Sequence, residues 1–124
     1  MGESWSRVRV FELGFAAPEL QQRVAGPTGR RWRVDMRFLR PGRRPVYGEF
    51  DGGVKHGELA NRAGKAGARA LAEEQQRDDE LLFSGDPCHW IWDDVLHPTR
   101  LERILEAYWV PRVRRPVPSA PAPG

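Results

Sequence analysis

Two alternating segments and the turn between them make up residues 31–51, RWRVDMRFLRPGRRPVYGEFD. Apolar side chains alternate with charged ones in residues 31–39 and with mostly polar ones in residues 45–51. A period of two is typical of half-buried strands, and residues 40–44, RPGRR, supply a turn centred on Gly42. The sequence therefore predicts a β-hairpin whose core face carries Val34, Met36, Phe38, Val46 and Phe50.

The segments around this hairpin predict the order of the remaining helices and strands. We expect a helix at residues 3–13, a strand at 20–24, a helix within 58–82, a strand at 88–92 and a helix that begins at Pro98. This order, αβββαβα, predicts an α/β sandwich with an antiparallel hairpin at its centre. Residues 111–124, PRVRRPVPSAPAPG, have no apolar period and predict an extended, disordered tail, so the domain itself comprises residues 1–110.

Length and composition exclude several classes of protein. With 124 residues, of which 40% are hydrophobic and 30% charged, the chain is expected to form one soluble globular domain. No apolar run approaches the ~20 residues of a spanning helix, so we expect no membrane association. Residues 1–9 are too polar for a signal peptide, and a single cysteine, Cys88, excludes a disulfide framework. We therefore expect a cytoplasmic protein.

The positive charge of the chain is almost entirely arginine. Basic residues number 20 and acidic residues 17, and only Lys55 and Lys65 are lysines. Arginine suits bidentate phosphate contacts, which indicates a nucleic-acid partner. The codon usage of a GC-rich genome explains the same bias, so the composition leaves both explanations open.

The hairpin register brings acidic residues together. If the turn is symmetric about Gly42, Asp35 lies opposite Glu49, and Arg33 lies opposite Asp51. Directly opposed side chains have Cβ atoms ~5 Å apart, and like charges at that distance are destabilising. Something must therefore offset the repulsion between Asp35 and Glu49.

Two explanations of the acidic pair remain open at this point. In the first, Arg33 and Arg37 neutralise the carboxylates in a solvated lattice of surface ion pairs, which contributes little to stability. In the second, a divalent metal ion is the partner, since Mg²⁺ is held by one or two carboxylates together with water and phosphate oxygens. Such an ion polarises a phosphodiester and generates a hydroxide nucleophile.

Several short motifs resemble one nuclease superfamily. They are ESWSR at residues 3–7, FELGFAAPELQ at 11–21, RVDM at 33–36, EFDG at 49–52 and WDDV at 92–95. Together they resemble the PD-(D/E)xK, restriction-endonuclease-like superfamily, and within it the very-short-patch-repair-endonuclease-like domain of small bacterial proteins. The resemblance covers residues 3–108. It implies a restriction-endonuclease-like αβββαβ(α) core with a mixed sheet and a central antiparallel hairpin.

The resemblance also implies a catalytic metal site. Asp35 and Glu49 would bind Mg²⁺ or Mn²⁺, with Glu3 of the first helix as a supporting ligand, although Glu3 is also explained as an ordinary carboxylate at a helix N-terminus. The lysine that the superfamily carries two residues after the glutamate is replaced here by Asp51, which would assist Asp35 and Glu49 in catalysis. Lys55 and His56 follow on the same loop and would supply the missing cation or base, whereas an exposed loop histidine is the simpler explanation of His56.

The function implied by the resemblance is metal-dependent endonuclease activity on DNA. The arginines of the hairpin would hold phosphates, namely Arg31, Arg33, Arg40, Arg43 and Arg44. The alternative is a catalytically decayed module of the same fold that serves as a DNA-binding or toxin–antitoxin-type interaction protein. The missing lysine and the acidic stretch at residues 73–86 favour that alternative. A module that binds only protein, or a homodimer, also remains open.

Two further residues carry expectations. Trp32 stands among arginines and is the best candidate for stacking on a base. The acidic stretch EEQQRDDELLFSGD at residues 73–86 contains Asp78, which fits the superfamily pattern, but its charge would repel phosphate. We therefore expect this helix to face solvent or protein.

Overall fold

The computed structural model describes residues 1–51 and 56–121, and for residues 56–63 it describes the backbone alone. The elements in chain order are α1 Gly2–Glu12, β1 Glu19–Ala25, β2 Arg31–Arg40, β3 Arg43–Phe50, α2 His56–Leu81, β4 Asp86–Trp90, α3 Trp92–Leu96 and α4 Pro98–Ala107. The predicted order is confirmed, with the short helix α3 in addition.

The four strands form one mixed sheet in the order β1-β2-β3-β4. The β1–β2 and β2–β3 pairs are antiparallel, and the β3–β4 pair is parallel. Parallel strands need a crossover connection, and here α2 returns the chain from the end of β3 to the beginning of β4. The fold is therefore a mixed α/β fold with an antiparallel hairpin at its centre, as the sequence predicts.

The central hairpin reaches the predicted register by a different turn. Pro41 and Gly42 form a two-residue turn closed by the Arg40–Arg43 pair, and the φ of +71° at Gly42 suits the third position of a type II turn. A register shift between Phe38 and Arg40 then adds one residue to β3. Beyond it the strands follow the predicted register, with the pairs Met36–Gly48, Arg37–Tyr47 and Phe38–Val46.

Helices α1, α3 and α4 share the main hydrophobic core with the sheet. Its buried members are Val10, Leu13, Phe15, Met36, Phe38, Val46, Cys88, Trp90, Val95, Leu101, Leu105 and Val110. Gly48 is needed here because a Cβ atom at that position would lie 2.6 Å from the Trp90 ring. The Trp90 Nε1–H donates to Ser6 Oγ at 2.8 Å, and Ser6 Oγ donates to the Gly2 carbonyl at 2.7 Å. The sheet and α1 are thus joined by apolar contacts and by a satisfied buried polar chain.

A second cluster joins the outer ends of β1 and β2 to α2. It consists of Val24, Trp32, Val34, Tyr47 and Leu81. Trp32 is 6% exposed, and its Nε1–H donates to Glu80 Oε1 at 3.3 Å. The prediction that Trp32 stacks on a base is therefore wrong, because its indole ring packs against α2. Glu80 is itself buried, so the acidic stretch does not lie wholly toward solvent as predicted.

The described part of the tail lies along the end of α1. It has no helix, and its one bridge pairs Arg112 with Phe15. The Val113 N–H donates to the Gly14 carbonyl at 2.8 Å, and the Val117 N–H donates to the Glu12 carbonyl at 2.7 Å. The segment that the sequence predicts to be disordered is extended here and follows α1 through backbone hydrogen bonds.

A buried ion pair lies beneath this segment. Arg9 is 2% exposed, and its Nη1 lies 2.9 Å from Glu12 Oε1. Its Nε donates to the Val95 carbonyl at 2.8 Å, and Nη1 also donates to the Ala120 carbonyl. One guanidinium therefore connects α1, α3 and the tail.

No described helix is long and apolar enough to cross a membrane.

Replacing Arg9 is expected to destabilise the fold strongly. Arg9→Met removes the charge and leaves the Glu12 carboxylate and the Val95 carbonyl with fewer partners, so the free energy of unfolding should fall by about 3 kcal/mol. Chemical denaturation checks this value, with Arg103→Met at an exposed position of α4 as the control, which should change stability by at most about 0.5 kcal/mol. Equal denaturation midpoints for the two variants would contradict the structural role of Arg9.

Candidate functional site

The pairing of β2 with β3 ends at the two predicted metal ligands. The last backbone pair is Met36–Gly48. The next donor on β3, the Phe50 N–H, is taken by Asp35 Oδ2 at 3.3 Å. The Asp51 N–H donates to the Trp90 carbonyl at 2.8 Å, so β3 continues along β4 instead. A side-chain carboxylate therefore replaces the strand backbone at the point where Asp35 and Glu49 come together.

The partner of Glu49 comes from α2. An Arg77 Nη2 donates to Glu49 Oε1 and also to the Arg33 carbonyl, the latter at 2.6 Å. The side chain of Glu49 is 12% exposed and that of Arg77 is 19% exposed. The prediction that Arg33 and Arg37 neutralise the pair is wrong: among the described residues no ion pair joins Arg33 to Asp35 or Glu49, and the Arg37 guanidinium binds Glu19.

Burial sets the protonation of Glu49. Loss of hydration raises the pKa of Glu49 to about 7, and the neighbouring carboxylates of Asp35 and Asp78 add to the rise, whereas Arg77 opposes it. Since an ordinary Glu has a pKa of 4.5, this carboxyl group titrates near neutral pH. The site can therefore hold or release a proton under physiological conditions.

A cavity of about 240 Å³ is formed by residues that neighbour Glu49 along β3 and across to β4. It is lined by Asp51 at the end of β3, by Glu74 and Asp78 of α2, and by His89 of β4. His89 is the parallel-strand partner of Glu49, and its Nε2 lies 3.4 Å from Asp78 Oδ1. The cavity thus gathers polar groups from α2, β3 and β4 next to the carboxylate pair.

The contribution of α2 is the part that the sequence did not indicate. Glu74, Arg77, Asp78 and Leu81 follow the spacing i, i+3, i+4, i+7 of a single helix face. The same spacing would identify a buried face if the residues were apolar. Because three of the four are charged, the sequence pattern does not indicate that this face of α2 packs against the sheet.

The donor set suits a hard divalent cation. Asp35 and Glu49 offer carboxylate oxygens, and Mg²⁺ needs only one or two of these when water and phosphate complete its shell. No group of three or more His, Cys, Asp or Glu residues that could hold a metal ion occurs within residues 1–51 and 64–121. The two carboxylates therefore fit a cation that shares its ligands with a substrate, while Arg77 occupies part of the same coordination space.

Three other predicted site residues lie apart or outside the description. Glu3 of α1 accepts a hydrogen bond from Gln21 of β1, and among the described contacts none joins it to Asp35 or Glu49. Lys55 lies outside the described residues. His56 begins α2, and its side chain is likewise outside the description.

The five predicted phosphate-binding arginines divide into two groups. Arg40 is 6% exposed and donates to the carbonyls of Arg44 and Tyr108 as well as to Asp86. The Arg44 guanidinium is engaged in a similar way by Asp86 and by two backbone carbonyls. Both hold the hairpin tip against the start of β4, so Arg40 is a structural residue and not a surface contact for phosphate.

The other three arginines of the prediction are exposed, namely Arg31, Arg33 and Arg43. The Arg43 guanidinium lies 5.1 Å from the centre of the Trp109 ring. Arg31 and Arg33 lie on β2, on the side of the strand that carries Asp35.

Cys88 is buried, and burial raises the pKa of its thiol to about 12, which excludes it as a nucleophile.

Compared with known proteins, the chain matches no family model, and no curated protein sequence or solved structure is similar to it. The class that the fold and the site define is a mixed α/β domain with a half-buried carboxylate pair at the end of its central hairpin.

The pKa of Glu49 has a consequence for stability. Because the folded state raises this pKa above 4.5, the contribution of Glu49 to stability is full below pH 4.5 and falls as the pH rises through 7. The loss is on the order of 3 kcal/mol. Glu49→Gln should lack this pH dependence, which denaturation curves measured from acid to mildly alkaline pH will check.

A direct titration tests the cause of the shift. Arg77→Gln removes the cation that opposes the rise, so the pKa of Glu49 should increase further, whereas Arg69→Gln at an exposed position of α2 should leave it near 7. Carboxyl NMR of the labelled protein reports both values. A Glu49 that titrates at its ordinary pKa would show that the site is open to water.

Proposed function

We propose that this chain is a metal-dependent endonuclease of the PD-(D/E)xK type that hydrolyses phosphodiester bonds in DNA. The observation that carries this proposal is the end of the β2–β3 ladder, where Asp35 takes a backbone donor of β3 beside the buried Glu49. An acidic pair of this kind is unfavourable unless a cation joins it. The restriction-endonuclease-like topology is part of the same proposal and agrees with the mixed four-stranded sheet.

The metal would be Mg²⁺ or Mn²⁺, held by Asp35 and Glu49. When bound, such an ion polarises the phosphodiester and lowers the pKa of a water molecule. Glu49 must be ionised to serve as a ligand, and a pKa of about 7 means that this fraction grows from neutral toward alkaline pH. The activity should therefore rise with pH across this range.

Arg77 is the residue that we propose in place of the missing lysine. Its guanidinium contacts Glu49, so it would lie beside a phosphate bound to a metal ion on that carboxylate. A fixed donor at that position lowers the energy of the transition state. His89, which lies near Asp78 at the rim of the adjoining cavity, is placed to accept or pass on a proton.

One observation favours the second candidate function, a decayed nuclease-fold module that binds DNA or a protein partner without cleavage. The Arg77–Glu49 contact already neutralises the carboxylate that a metal would need. If this ion pair persists when substrate and metal are present, the fold is retained and the chemistry is lost.

A plasmid-nicking assay with Mg²⁺ and with Mn²⁺ separates the two functions. We expect the wild-type chain to cleave, and Asp35→Asn and Glu49→Gln each to lower the rate by roughly 100-fold or more. Asp79→Asn, at an exposed position of α2, is the charge-matched control and should cleave as the wild type does.

Metal binding gives a second readout for the same variants. Mn²⁺ should broaden the backbone NMR signals of Gly48, Glu49 and Phe50 in the wild type and should not do so in Glu49→Gln. Broadening without cleavage would select the decayed module. Cleavage that survives both carboxylate substitutions would overturn the assignment of the site.

A further inference from the structure

The outer hairpin of the sheet carries two arginines directly opposite each other. Arg23 of β1 and Arg33 of β2 are partners in the antiparallel register, and both side chains are exposed. Opposed side chains have Cβ atoms ~4.5–5.5 Å apart, a distance at which like charges destabilise a sheet. Arg31 lies on the same side of β2, one alternate position nearer the turn between β1 and β2.

The next pair in the register is buried, whereas the two arginines are exposed. Val24 and Trp32 are the next pair in the register and belong to the buried cluster with Leu81. Because neighbouring residues of a strand point to opposite sides, Arg23 and Arg33 lie on the side of their strands opposite to Val24 and Trp32. β1 is also the edge strand, and the side chains of Arg23, Arg31 and Arg33 are all exposed.

Other arginines near this surface have carboxylate partners. Arg37 binds Glu19 at 2.7 Å, and Arg30 binds Glu73 at 2.6 Å. Among the described residues, no ion pair involves the side chains of Arg23, Arg31 and Arg33. Within the described part of the chain, these three neighbouring cations therefore have no carboxylate partner.

We propose that Arg23, Arg31 and Arg33 bind the phosphate backbone of a nucleic-acid strand and direct it to the carboxylates. The two opposed guanidiniums flank one phosphate, and their forked donors match its oxygens. Arg33 and Asp35 occupy alternate positions on one side of β2, ~7 Å apart along the strand. The backbone held by the arginines therefore leads to the candidate metal site.

This inference rests on the proposed function for its choice of ligand. An acidic protein surface or an anionic membrane would also meet positive charge, but neither explains why the uncovered arginines adjoin a site suited to a divalent cation. The contact is made to phosphates and not to bases, so it should be independent of nucleotide sequence. Its affinity should depend steeply on salt.

Fluorescence anisotropy with a short labelled DNA duplex in EDTA tests the contact without metal or cleavage. Relative to the wild type, Arg23→Gln/Arg33→Gln should bind roughly tenfold more weakly at low salt, and the slope of log affinity against log salt should fall by about 2. Arg103→Gln/Arg115→Gln removes the same charge from exposed positions elsewhere and should retain the slope. Equal slopes for the wild type and the Arg23/Arg33 variant would overturn the proposal.

Thermal unfolding keeps the test independent of a folding defect. Because the pair is repulsive, Arg23→Gln alone should raise Tm by about 1–4 °C while weakening DNA binding. A clear fall in Tm would show that the arginines serve the fold and would count against the proposal. So would binding of phosphatidylserine vesicles by the wild type with no binding of DNA.

The outcome is separable from that of the nuclease proposal. Glu49→Gln should bind DNA in EDTA at least as tightly as the wild type, since it removes negative charge next to the backbone. Arginine-dependent binding without metal-dependent cleavage would support this surface and reject the nuclease. Cleavage with no effect of Arg23 and Arg33 on affinity or slope would do the reverse.

Discussion

The contact between Arg77 and Glu49 is the interaction on which the candidate site depends. It joins α2 to β3, and the same guanidinium donates to the Arg33 carbonyl of β2. Arg77 therefore bridges the two strands just where their own backbone pairing stops. A carboxylate as buried as Glu49 needs a cation or a proton to be tolerated. The protein supplies the cation from a helix, and this choice sets both the geometry and the pKa of the site.

The position of Arg77 depends in turn on how α2 is anchored at its C-terminal end. Glu80, one turn further on, accepts hydrogen bonds from Thr28 at 2.7 Å and from Trp32 at 3.3 Å. A Cβ atom at Gly26 would lie 2.1 Å from the Glu80 carboxylate, so a larger residue in the turn before β2 would displace that carboxylate. The turn between β1 and β2 thus also holds the C-terminal end of α2, the helix that supplies Arg77 to the site. A substitution in that turn would therefore shift α2 and with it Arg77, and so change the environment of Glu49 without contacting its carboxylate.

What could be predicted from the sequence is what depends on neighbouring residues along the chain. A period of two indicates the strands, and the hairpin register brings Asp35 and Glu49 together. The missing parts are contacts across long separations, such as Arg77 with Glu49, 28 residues apart, and Arg40 with Asp86, 46 residues apart. Hydrophobic periodicity does not report a helix face that is buried through charges, and α3, with five residues, is too short to show a period. Arginines in a turn are ordinarily solvated, so the sequence offered no sign that Arg40 is buried.

The distribution of charge on β2 distinguishes this sheet from a surface optimised for stability alone. Arg33 faces Arg23, and two positions further along the strand Asp35 adjoins Glu49. Exchanging one residue in each pair would give two ion pairs and remove both repulsions. The sequence instead keeps two adjacent and opposite concentrations of charge. Local conflicts of this kind are expected where function constrains a fold. A neutral lattice would hold neither a phosphate nor a divalent cation, whereas the observed arrangement presents a site of each sign on a single strand.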